Sequence, residues 1–184
     1  FPRAAAPLLV TLTAWRMLFT KARVRPWETV LVFGIGGGVS LAAMQLAKAI
    51  GARVIVTSRD DAKLARAQAM GADHGINGKT QDVAKAVMAC TGGRGVDVVI
   101  ENVGDAVWSS AMKSLVRGGR LVTCGATTGD QPPADIRRIS IRQLQILGST
   151  FGDLSEFQDL LGFVERRGIV PVIDSEFGIE RVHE

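Results

Sequence analysis

The 184-residue chain has no Tyr, two Cys, two His, and no apolar run as long as the roughly 18 residues a membrane helix needs. Each shortage excludes something. With no Tyr and aromatics at 5%, no platform for stacking successive bases is visible, which argues against a nucleic-acid surface. Cys90 and Cys124 cannot build a disulfide framework and are expected as reduced thiols. His74 and His183 stand far apart without companions at ligand spacing, so no metal site is expected. The broken apolar runs exclude a transmembrane helix, and no charged, apolar and cleavage regions mark a signal peptide. Reduced thiols without an export signal point to the cytoplasm.

What is present is an ordinary globular mixture: 47% hydrophobic, 22% charged, with 21 Gly. The length suits about one domain. Net charge is +4 and the pI about 9.5. Basic residues are interleaved with acids, a pattern suited to an anionic small ligand rather than to nucleic acid. The chain opens at Phe1-Pro2-Arg3 without Met, and Ile179 to Glu184 reads as the first turns of an uncapped helix. One domain of a longer protein is expected.

Apolar periodicity alternates between two rhythms. A helical pattern runs from Thr11 to Arg23, with Pro26 at its exit. Thr29 to Phe33 is a continuous apolar run of strand length, followed at once by Gly34-Ile35-Gly36-Gly37-Gly38. Val39, Ala42, Ala43, Leu46, Ala47 and Ile50 then form one helical stripe, with Gly51 as its stop. The unit repeats: strand Val54 to Thr57, helix Asp60 to Met70, a short strand His74 to Ile76, helix Gln81 to Thr91, strand Val96 to Ile100. A helix through Trp108, Ala111, Met112 and Leu115 ending at Gly118, strand Arg120 to Cys124, a loop Gly125 to Pro133, strand Leu144 to Gly148 and helix Leu154 to Arg167 complete the chain. Continuous Val, Ile and Leu strands suit a parallel sheet buried on both faces. Right-handed crossovers then predict an α/β, doubly wound parallel sheet, a Rossmann fold of six strands in the order 3-2-1-4-5-6.

The glycine cluster sits between an apolar strand and an amphipathic helix, which is what makes it informative. Gly34 can turn the chain out of the strand, and Gly36 and Gly37 let backbone approach a diphosphate. The helix beginning near Gly38 aims free amides and its positive dipole end at that anion. Gly34, Gly36, Gly37, Gly38 and Val39 are therefore expected to hold a dinucleotide. Strict spacing would put a third glycine at Val39, so Gly38 or Ser40 must allow the close helix–strand packing. An acid about 20 residues further on would bind an adenosine ribose. That position is Ser58, followed by Arg59, with Lys63 a helical turn later. A hydroxyl, a guanidinium and an ammonium suit a phosphate monoester. One charge-assisted bond from Arg is worth roughly 1.5–3 kcal/mol, about 10- to 150-fold. NADP(H) is predicted over NAD(H). Asp60 is the competing ribose acid, although Asp60 and Asp61 read better as acids at a helix start. Further contacts are expected where the other strands end, at Asn102 and Val103, at Cys124, Gly125 and Ala126, and at Ser149, Thr150 and Phe151. Cys124 reads as a small apolar residue at a strand end, Trp108 as core, and Arg137 and Arg138 as a solvated turn.

With these motifs placed, the chain resembles the cofactor domain of the medium-chain dehydrogenase/reductase superfamily, in its quinone-reductase-like and zinc-type alcohol-dehydrogenase-like branches. The resemblance rests on Thr13-Ala14-Trp15, Gly34 to Ser40 with Ala42 to Lys48, Leu64 to Asp73, Thr91 to Val99, and Gly118 to Val122. It implies a dinucleotide-binding domain over 1–170, with 171–184 returning to a GroES-like catalytic domain outside this chain. It places Thr13, Ala126 and the Ser149–Phe151 segment near a nicotinamide, and it suggests a homodimer joined through the strand ending near Gly148. A small-molecule substrate follows: a quinone, an activated alkene, or a carbonyl/alcohol pair. This stretch alone would bind cofactor without turning over. Two positions depart from the pattern. Leu9 stands where zinc-dependent members carry a metal ligand, so a zinc-independent enzyme is implied. Gly78, followed by Lys79, stands where some quinone reductases carry Tyr. The alternative is a non-catalytic relative that senses NADPH or binds RNA.

Overall fold

Every residue of Thr29–Val32 is buried, as a strand must be when helices cover both faces of its sheet. In the computed structural model, which describes residues 8–173 and 175–181, this strand is β1. The chain runs through α1 (Leu8–Trp15), a π-helical turn (Arg16–Lys21), β1, α2 (Gly38–Ala49), β2 (Arg53–Ser58) and α3 (Asp61–Ala69). It continues through β3 (His74–Asn77), α4 (Val83–Cys90), β4 (Val96–Glu101), α5 (Asp105–Ser114) and β5 (Leu115–Thr123). Then follow α6 (Ile136–Arg142), β6 (Gln145–Gly148), α7 (Leu154–Arg167) and a 3-10 turn (Ile179–Arg181). His183 and the end of the helix expected over Ile179 to Glu184 lie outside the described residues.

The sheet has the predicted order, β3-β2-β1-β4-β5-β6, and every neighbouring pair is parallel. Alternate side chains feed two cores. Val30, Val32, Val54, Val56, Val98 and Ile100 meet α1, α2, α3 and α7 on one face. Leu31, Ile55, Ile76, Val99 and Leu121 meet α4 and α5 on the other. Each such side chain, removed fully from water, contributes about 1.5–3 kcal/mol. The stripe read along α2 points into the first core, with Ala42, Ala43, Leu46 and Ala47 buried and Val39 and Ile50 packed against them. Trp15, Phe19 and Phe163 lock α7 onto α1 and the π-turn, with ring centroids 4.4–5.9 Å apart.

Three expectations need correction. The helix through Trp108 ends at Ser114 rather than at Gly118. Leu115 turns extended (φ −73°, ψ 142°), is fully buried in the second core, and pairs with Val96. The ladder then jumps from Val96–Leu115 to Val98–Arg120, so Val116 to Gly119 bulge out and Val96 and Val98 face opposite cores. The first helix is two pieces, α1 and the π-turn. The solvated turn at Arg137 and Arg138 is the helix α6, which buries no residue and so carries no apolar stripe to read.

At the amino end of the sheet, Asp97 accepts hydrogen bonds from the Thr29 amide (2.8 Å) and from both terminal nitrogens of Arg94 (2.9 and 2.6 Å). Burial alone would raise this carboxyl. The Arg94 guanidinium and the Thr29 amide outweigh it and hold the group below the usual carboxylate range. A depressed native pKa stabilises the fold above the unfolded value and ceases to do so as pH falls through the native one. Asp97→Asn is expected to cost about 1–2 kcal/mol at neutral pH. Urea unfolding should show that cost complete above about pH 4 and shrinking as the medium becomes more acidic.

Candidate functional site

Since all six strands are parallel, their carboxyl ends share one edge. Strand β1 lies between β2 and β4, the point where strand order reverses and a crevice opens. The Phe33 amide still bonds to Ile100 O (3.1 Å). Gly34 then donates to Thr57 Oγ1 (3.2 Å) and Ile35 to Thr57 O (2.7 Å), which pins the glycine loop to β2. The missing third glycine is replaced by two residues. Ser40 is buried and its Oγ donates to Phe33 O (2.7 Å), sealing α2 to β1. Gly38 leaves room for Val10, whose Cγ1 would stand 3.0 Å from a Cβ there. The first-turn amides of α2, at Gly38, Val39 and Ser40, have no carbonyl one turn back and start at the loop.

A cleft of about 780 Å³ opens over this edge and brings together Gly34, Gly36, Gly37, Ser58, Arg59, Lys63 and Val103. Gly36 has φ +121°, a region L side chains rarely adopt. A Cβ on it would stand 2.9 Å from Lys63 Cδ and 3.5 Å from Nζ, because the lysine stem crosses the loop. The same cleft is lined by Lys79, Gln81 and Asp82, which the sequence reading missed. The signal was the strand order: Ser58 pairs with Asn77, so the turn after β3 must flank the turn after β2.

The acids around the cleft are all engaged. Asp60 is the N-cap of α3, its Oδ1 accepting from the Ala62 (2.8 Å) and Lys63 (3.4 Å) amides. Asp61 accepts from Asn77 Nδ2 (2.7 Å), and Asp82 caps α4 through the Lys85 amide (3.0 Å). By contrast, among the described residues Arg59, Lys63 and Lys79 take part in no salt bridge.

The remaining expected residues lie elsewhere on the edge. Cys124, Gly125, Ala126 and Ser149 line a second cavity of about 570 Å³, with Trp108 as a half-buried wall. Among the described residues the buried Trp108 Nε1 has no hydrogen-bond partner. Thr13, Gly38, Val39, Asn102, Thr150 and Phe151 line neither cavity. Thr13 is buried on α1, its hydroxyl bonded to Leu9 O (2.9 Å). Asn102 lies beside the loop, its Oδ1 3.8 Å from the position of a Gly34 Cβ. Thr150 and Phe151 are exposed.

Two features hold this end rigid. Glu101 is fully buried, and its carboxylate accepts from the Val103 and Gly104 amides and from Thr123 Oγ1 (3.1 Å). Gly104 has φ +93°, and a Cβ there would collide with Gly129 O. Burial and the Glu101 charge push the Cys124 thiol up to about 11, as suits the small apolar residue expected there.

Residues 38–166 match the zinc-binding dehydrogenase family. The chain belongs to that family. It is 36% identical over its whole length to a zinc-type alcohol dehydrogenase-like protein of Schizosaccharomyces pombe, of which it spans 55%. It is 32% identical over 98% of its length to the quinone oxidoreductase of Rattus norvegicus, of which it spans 56%. A crystal structure of an NAD-dependent alcohol dehydrogenase superposes with a TM-score of 0.88 at 42% identity, covering 94% of this chain and 50% of that one. The chain thus spans about half the length of the relatives it matches.

The metal in the family's name has no ligand set among the described residues of this chain. Leu9 is an exposed hydrocarbon, and among the described residues no group of three or more His, Cys, Asp or Glu could hold an ion. A dinucleotide fits better: Gly36 keeps the loop free of a Cβ under the Lys63 stem, and Arg59, Lys63 and Lys79 on the rim take part in no salt bridge among the described residues.

Gly104→Ala is expected to destabilise the protein by about 2–4 kcal/mol, since strain and collision add; thermal unfolding measures it. Cys124 should react with iodoacetamide on the order of 100-fold more slowly than free cysteine at pH 8, with the rate rising as pH nears 11. Mass spectrometry of the alkylated peptide tests this.

Proposed function

We propose that this chain is the NADP(H)-binding domain, residues 1–170, of a zinc-independent oxidoreductase. In this reading 171–184 lead back to a GroES-like catalytic domain, and the chain by itself binds cofactor without turnover. The observation that carries the reading is the charge arrangement beside Ser58: both nearby acids are held by α3 and Asn77, while Arg59 is exposed and pairs with no carboxylate among the described residues. A ribose diol needs a free acceptor; a 2′-phosphate needs an unpaired cation.

The loop of Gly34, Gly36 and Gly37 and the first-turn amides at Gly38 and Val39 would hold the diphosphate. Ser58, Arg59 and Lys63 would receive the 2′-phosphate end. Asn102 and Val103 would border the second ribose, with Cys124, Gly125, Ala126, Ser149, Thr150, Phe151 and Thr13 toward the nicotinamide. The bound nicotinamide supplies hydride chemistry with a quinone, activated alkene or carbonyl/alcohol substrate, while the protein supplies position and polarity. The names of the relatives, an alcohol dehydrogenase-like protein and a quinone oxidoreductase, support that substrate range. The strand β6 is exposed at three of its four positions, which supports pairing of two copies edge to edge. No described helix is long and apolar enough to cross a membrane, and reduced cysteines support a cytoplasmic site.

The NAD-dependent alcohol dehydrogenase at 42% identity favours the other coenzyme. In this chain the acid that would serve it, Asp60, caps α3 through its Oδ1.

Calorimetry on the full-length protein should show NADPH binding at least about 10-fold tighter than NADH. Arg59→Gln should remove most of that difference while sparing NADH. Tighter binding of NADH by the unmodified protein overturns the coenzyme assignment. Steady NADPH oxidation with quinones, enals or aldehydes is expected; none, together with salt-sensitive RNA binding, would favour a non-catalytic role.

A further inference from the structure

We propose that the outer face of α6 forms a second anion site, in which Arg137, Arg138 and Arg142 take the phosphate group of a small molecule. The site shares no lining residue with the cleft over the glycine loop, and it goes beyond the dinucleotide reading of that cleft.

Packing gives little reason for a helix at this place. Helix α6 fully buries no residue, and Ile136 and Ile141 are 76% and 55% exposed. Both flanking residues are left-handed: Asp135 has φ 41° and ψ 57°, and Gln143 has φ 53° and ψ 43°. Residues other than glycine rarely adopt that conformation, which costs on the order of 1–3 kcal/mol each. The helix is kept against that cost, and what it presents is a set of arginines.

Arg137, Arg138 and Arg142 line one groove of about 260 Å³ with Asp135 and Ile141. The carboxylate there is engaged at both oxygens. Asp135 Oδ1 accepts from the Arg138 amide (3.1 Å), and Oδ2 accepts from Arg138 Nε (3.2 Å). Arg137 is exposed, and neither it nor Arg142 takes part in a salt bridge among the described residues. Arg142 is half-buried. Its Nη2 donates to Leu115 O (2.9 Å), which ties the guanidinium to the start of β5. Its buried Nε has no hydrogen-bond partner among the described residues. A partly dehydrated cation with an unspent donor and no counter-charge is unfavourable by itself. A phosphate offsets this, because its oxygens match the planar fork of arginine in pairs. Ala134 lines the cavity at Cys124, and the next residue, Asp135, lines the groove. The phosphate is therefore either free or carried by a substrate whose apolar part lies in that cavity.

The probe is inorganic pyrophosphate, titrated by calorimetry into the full-length protein with saturating NADPH present to fill the other cleft. One site per chain is expected. Arg137→Gln and Arg142→Gln should each weaken it by about 10-fold and leave NADPH binding unchanged. Arg137 is exposed, so its variant alone decides the matter should Arg142→Gln fail to fold without the Leu115 tie. Lys85→Gln removes an exposed charge outside the groove and should change nothing. Absence of heat, an Arg137 variant that binds normally, or an equal loss in Lys85→Gln overturns the site. So does a single-stranded RNA that binds through the same arginines while pyrophosphate does not, which would assign the face to nucleic acid. NADPH oxidation with crotonyl thioesters of pantetheine and of 4′-phosphopantetheine separates the two sources. A KM raised by Arg137→Gln for the phosphorylated thioester alone places the phosphate on the substrate; unchanged KM values, or no turnover of either, leave free phosphate as the ligand. If NADPH does not bind, the dinucleotide reading fails, and pyrophosphate titrations of the unmodified and Arg137→Gln proteins still judge the groove.

Discussion

The parallel pairing of β1 with β2 on one side and β4 on the other is the constraint from which the rest follows. A strand so placed loses both faces to helices, and only a right-handed return over each face can supply them. The two crossovers leave in opposite directions, and the gap between them cannot be filled by sheet. The glycine loop sits in that gap, fastened to Thr57 and to Ile100 by its own amides. The core that stabilises the domain and the crevice that makes it useful are thus two results of one strand arrangement.

Charge distribution around the crevice follows from helix capping. Asp60 and Asp82 occupy the starts of α3 and α4, where backbone amides compete for them. Acids placed there complement the helix dipoles, even where one of them, Asp82, also lines the cleft. The cations Arg59, Lys63 and Lys79 form no salt bridge among the described residues. Binding of a polyanion would not require breaking an existing ion pair.

Much of the fold could be read from composition and period. The near-continuous Val and Ile of β1, β2 and β4 are buried throughout their centres, and the glycine cluster falls where strand passes to helix. What could not be read depended on contacts distant in sequence. Leu115 fits the stripe of α5 by spacing, but its burial against the second core and its pairing with Val96 pull it into β5. Helix α6 fully buries no residue and sets Ile139 against the second core, too little to make a period. Lys79 and Gln81 join the cleft only through the pairing of β2 with β3. Lys63 was found by spacing, but no spacing rule reports that its stem lies over Gly36. The residues at the ends of β5 and β6 fall in a separate cavity from those around the glycine loop, because the order of strands along the edge sets them apart.

The tethering of Glu101 bears on chemistry. With Asp130 it lines the cavity at Cys124, and it is fully buried. Two main-chain amides bond to its Oε1 and the Thr123 hydroxyl bonds to its Oε2. The side chain thereby acts as a fastener, tying the turn after β4 to the end of β5. In the proposed oxidoreductase, a ligand at this end of the sheet would meet a main chain already fixed in place, a rigid bed against which a reacting group is positioned.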